Sequence, residues 1–91
     1  MPYIEKNRRR IFDEGLERMM DSSHIEKGDL TYCIYKLGIE YMKHRKTNYQ
    51  NLSDAVAAMN DSAAEFRRRN LNPYEEIKIK LNGDILWYIK Y

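Results

Sequence analysis

Three arginines in a row, Arg67-Arg68-Arg69, are followed by Asn72-Pro73-Tyr74, then Glu75, Glu76 and Lys78. Arginine forks match the paired oxygens of a carboxylate or phosphate, which a lysine point charge does not. An aromatic ring and a lysine on the following element would complete a surface for an anion. Residues one apart on a helix diverge by about 100°, so the three arginines cannot all face one ligand. Glu65 stands three and four residues before Arg68 and Arg69, the spacing of an intrahelical ion pair. The expected ligand-binding residues are therefore Arg68, Arg69, Tyr74 and Lys78. The bland alternative is a helix end whose cations offset the dipole and lock a corner.

Other basic clusters are Lys43-His44-Arg45-Lys46 and Arg8-Arg9-Arg10. The first closes a helix, where cations are favourable; the second opens one, where they are not. Arg8, Arg9 and Arg10 are thus additional candidate contacts to an anionic partner. Catalytic and metal chemistry find no support. His24 and His44 have no second ligand at metal spacing. Cys33 has no neighbouring histidine, and no glycine-rich phosphate loop is present. The pairs Asp13-Glu14 and Glu75-Glu76 read as solvated helix surface. The expectation is a protein without catalytic residues, metal or cofactor.

The elements that would position these groups are helical. At 91 residues the chain is one domain, 1–91, with a small core. Hydrophobic and charged fractions of 43% and 33% belong to a folded chain rather than a disordered one. Eight tyrosines against two phenylalanines suit a small core with wet edges or an interface. A net charge of +2 falls short of a dedicated nucleic-acid binder, whose pI would exceed about 9. The single cysteine excludes an intrachain disulfide and fits a reducing compartment. No apolar run approaches the ~20 residues of a membrane span. The N-terminus lacks a signal-peptide core, so the expected location is the cytoplasm.

Apolar spacing predicts three core helices at about 7–20, 30–46 and 52–69, enclosing Phe12, Leu16, Ile34, Leu37, Val56, Met59 and Phe66. The second helix carries two stripes, Leu30-Ile34-Leu37-Tyr41 and Tyr32-Tyr35-Ile39-Met42, so it is central or meets another subunit. Asp29 and Asn51 read as N-caps. In the third, Leu52, Val56, Met59, Ala63 and Phe66 form a narrow seam flanked by alanines. Asn70 reads as its left-handed stop. Residues 73–82 are open to two readings. Pro73 with Glu75 and Glu76 is a helix start, while the alternation from Glu76 to Leu81 is that of a strand. The start signal favours a short helix. A strand-like tail from Ile85 to Tyr91 follows, with Trp87, Tyr88 and Ile89 as an oligomer interface.

Leu30-Thr31-Tyr32, Asn48-Tyr49-Gln50, Glu65-Phe66, Arg68-Arg69, Pro73-Tyr74-Glu75, Lys78-Ile79 and Asn82-Gly83-Asp84 occur in that order. Over Leu30–Asp84 the chain resembles a family of small phage and prophage proteins of unassigned function. Its relatives stop soon after Asn-Gly-Asp, whereas Ile85–Tyr91 extend this chain. The resemblance implies a phage context and action by stoichiometric binding. Together the expectations are a homo-oligomer, most simply a dimer, that captures an anionic nucleotide-derived ligand. The alternatives are an inhibitor or adaptor of a host protein complex and a weak nucleic-acid binder.

Overall fold

A computed structural model of the chain describes residues 2–85. Four helices follow one another: α1 (Lys6–Met19), α2 (Lys27–Lys43), α3 (Tyr49–Phe66) and α4 (Asn72–Asn82). A π-helical segment, Arg67–Leu71, joins α3 to α4. The mainly α expectation holds, and residues 73–82 are helical, so their strand reading falls. No strand occurs among the described residues. The tail beyond Ile85, with Trp87, Tyr88 and Ile89, lies outside them.

The starts of α2 and α3 sit three residues earlier than expected. Glu26 precedes α2, and Asp29 Oδ2 accepts the Glu26 amide at 3.0 Å rather than capping the helix itself. Asn48 is the cap of α3, its Oδ1 accepting the Asn51 amide at 2.8 Å. At α3 the Asn51 side chain instead donates to the Lys46 carbonyl at 2.8 Å, so the reciprocal N3 bond of a capping box is made at α2. At the end of α2, Lys43 pairs with Glu40 at 2.7 Å, and Lys43 is the main reason the Glu40 carboxyl is held below its usual range. Arg45 folds back over the Tyr41 ring at 3.5 Å and donates to the Tyr41 carbonyl. The cations of this cluster therefore serve the helix end.

The largest correction lies at Asn70–Pro73. Among the described residues only glycine has a positive φ, so Asn70 does not stop α3 and no corner forms. Arg67 and Asn72 are both right-handed helical, and the Asn72 amide reaches the Arg67 carbonyl five residues back. Pro73 supplies the reason. A proline inside an α-helix lacks the amide for the bond to residue i−4 and its ring crowds that carbonyl. Widening the turn just before it relieves both, and α3 runs on into α4. Gly83, at φ 85°, ends α4 with its amide on the Ile79 carbonyl at 2.9 Å.

Among the described residues, side-by-side packing of helices is confined to one hairpin. α2 and α3 cross where Gly38 meets Met59: a Cβ at Gly38 would stand 2.5 Å from the Met59 methyl. Gly38 and Met59 are half-buried, with Cys33, Met42 and Ala55 on the same two helices. No Cα of α1 comes within 8 Å of another helix. The expected three-helix core is consequently not closed within one chain. Among the described residues none is buried, and of the seven expected core residues only Met59 is half-covered. Phe66 is 68% exposed and Leu37 53%. Two helices can cover only one face of each other; the third wall is missing.

Replacing Pro73 by Ala restores an amide and removes the ring, so the turn can tighten to α. Urea unfolding should show the variant more stable by about 1–2 kcal/mol, part of the cost of an interior proline. A loss of stability would mean that the wide turn has another cause.

Candidate functional site

The sequence-predicted cation site falls on the π-helical turn, and its parts separate into two groups. The first gathers around Glu65, whose side chain is only 14% exposed. Arg68 Nε donates to Glu65 Oε1 at 2.6 Å, and Arg69 Nε stands 4.0 Å from the same oxygen. The hydrogen bond to Glu65 and that carboxylate's charge raise the Arg68 pKa further, with a smaller contribution from the Tyr3 hydroxyl. Tyr3 also places its ring 5.3 Å from the Arg69 guanidinium carbon, within cation–π range. A chain segment more than sixty positions away thus joins the two arginines.

The second group is Tyr74 with Lys78, one turn apart on α4. Lys78 Nζ lies 5.8 Å from the Tyr74 ring centroid. No hydrogen bond, ion pair or ring contact among the described residues connects this pair to Arg68 or Arg69. The four expected ligand-binding residues are therefore two pairs on successive turns rather than one converged cluster. Asp61, Ala64, Glu65 and Arg68 line a shallow depression of about 290 Å³ beside the first pair.

Arg8, Arg9 and Arg10 open α1, whose first turn holds no acid. Arg9 Nε donates to the Ile4 carbonyl at 2.8 Å. Neither Arg8 nor Arg10 has an ion-pair partner among the described residues. No group of three or more His, Cys, Asp or Glu side chains in metal-binding range occurs among them either. No helix there is long and apolar enough to cross a membrane.

A larger concavity lies elsewhere. Between α2 and α3 runs an open groove of about 810 Å³, floored by Gly38, Met59 and Ala55 and walled by Leu30, Ile34, Leu37, Tyr41 and Phe66. Arg67 stands at its α3 end. The first stripe of α2 and most of the α3 seam line it. Sequence periodicity located these residues but assigned them to a closed core. Tyr3 was missed altogether, because no spacing rule links it to residue 69.

The chain belongs to a family described as a domain of unknown function, DUF6899, whose model matches residues 1–85. The match takes in α1 and Tyr3, which lie outside the Leu30–Asp84 resemblance. No curated protein matches the chain. No solved structure matches it either.

Glu65 is the hub of the arginine turn. Glu65→Gln keeps the shape and removes the charge, so the melting temperature should fall by a few degrees at most and lose part of its salt dependence. An unchanged melting curve at low and high salt would show that the carboxylate does not organise the turn.

Proposed function

We propose that the chain is a non-catalytic binding protein that acts as a homo-oligomer and captures an anionic, nucleotide-derived ligand at the Arg68–Arg69 turn. The observation that carries this reading is the way Glu65 holds the arginines. It approaches both from the Nε side, which is one edge of a guanidinium; the terminal amino groups keep the paired geometry that phosphate oxygens take. Tyr3 steadies the forks from the other side, and Tyr74 with Lys78 supplies a ring and a further cation one turn on. Glu65 and Asp61 stand against Arg67, Arg68 and Arg69, which leaves the turn positive by one charge. In the phage context implied by the resemblance, sequestering a host nucleotide signal in the cytoplasm, an anti-defence role, is the form such capture takes.

A second reading, an inhibitor or adaptor of a host protein complex, is favoured by one observation: the apolar α2–α3 groove stands open. A thermal-melt panel of nucleotides, cyclic nucleotides and oligonucleotides separates the readings. A nucleotide at one hundred times its Kd should stabilise the protein by about 2.7 kcal/mol. Arg68→Gln with Arg69→Gln should fold and lose that response. No response to any nucleotide, or an undiminished response in the double variant, would overturn the anion site. A response to oligonucleotides alone that falls steeply with salt would assign the basic clusters to nucleic acid.

A further inference from the structure

We infer that the α2–α3 groove is the seat of α1 from a second copy of this chain, each copy giving one α1 and receiving one. The inference rests on the homo-oligomer proposed above and names the surface that makes it.

Area sets the requirement. The chain exposes 8892 Å², whereas a folded monomer of its mass exposes about 5,600 Å². The excess, roughly 3,300 Å², is several times the ~800 Å² per partner of a standard stable interface. A Cα radius of gyration of 17.8 Å, against about 12 Å for a compact domain of this length, shows the same open shape.

The occupant is identified by three properties of α1. It approaches no other described helix of its own chain. Tyr3 fixes its start beside Arg69, yet the helix then lies clear of the groove. Its apolar face, Ile11, Phe12, Leu16 and Met19, is 67%, 46%, 44% and 42% exposed, an unpaired counterpart to the groove. Length agrees: the 14 residues of α1 span about 21 Å and the Leu30–Tyr41 wall about 17 Å. Reciprocal exchange of an identical element closes as a two-fold dimer, with no open face left to propagate.

Two variants test it by complementation. Phe12→Asp with Leu16→Asp spoils the donated helix; Ile34→Asp with Met59→Asp spoils the receiving groove. Alone, each should lose the assembled mass in light scattering and melt at a lower temperature. Mixed, the intact groove of the first can take the intact α1 of the second, so a mixed dimer should form and part of the melting temperature return. If mixing restores nothing, the exchange is wrong. If the α1 variant keeps the wild-type mass, the groove is covered by something other than α1 while the oligomer stands. If the wild type itself runs at 11.0 kDa, both this inference and the oligomer reading fail.

Discussion

Two antiparallel helices can bury only the strip along which they touch, and most other features of this chain follow from that limit. The strip is centred on Gly38, where the absence of a Cβ lets α2 approach the Met59 side chain on α3. Both helices carry apolar residues well beyond it: Leu30, Ile34 and Leu37 on one, Val56 and Phe66 on the other, all exposed. Each exposed apolar side chain left in water forgoes about 25 cal/mol for every Å² that could be covered. A domain whose whole stability is of order 5–15 kcal/mol cannot leave this many uncovered. The proposed association would supply the walls that the described hairpin lacks.

The cationic turn depends on the same hairpin. α3 delivers Glu65 and the arginines at its far end, and the widened turn before Pro73 sets their rotation about the axis. An α-helical turn would separate residues 68 and 69 by about 100°. One carboxylate nevertheless reaches the Nε of one and stands within 4.0 Å of the other. The widened turn thus has two consequences: it lets α3 continue into α4 past Pro73, and it holds the segment where the arginines gather. The proposed ligand surface and the proposed assembly surface meet at Arg67, which belongs to the first by sequence and to the groove by position.

Much of this was legible in the residues. The first three helices appear as periodic apolar runs and the fourth through its Pro73 start signal, and Gly83 is where it stops because glycine readily takes the φ of 85° found there. The Glu65–Arg68 pair follows from spacing on one helix. What could not be read has physical causes. Periodicity says which face of a helix is apolar but not what covers it, so Phe12 and Leu16 were placed in a core that their own chain does not close. Asn70 and Asn72-Pro73 look like a stop and a restart because those signals are local. Whether a wider turn is cheaper than a break depends on the continuity of the helix on both sides. Tyr3 reaches Arg69 through tertiary placement alone, and nothing in the sequence signals it.

The central claim is that the fold of this chain is completed by association. The direct measurement is the urea unfolding midpoint, followed by circular dichroism over a hundredfold range of protein concentration. Coupled folding and assembly predicts a midpoint that rises steadily with concentration, since dilution favours the separated, uncovered chains. A midpoint that stays fixed across that range would contradict the claim and show that a single chain covers its own apolar faces.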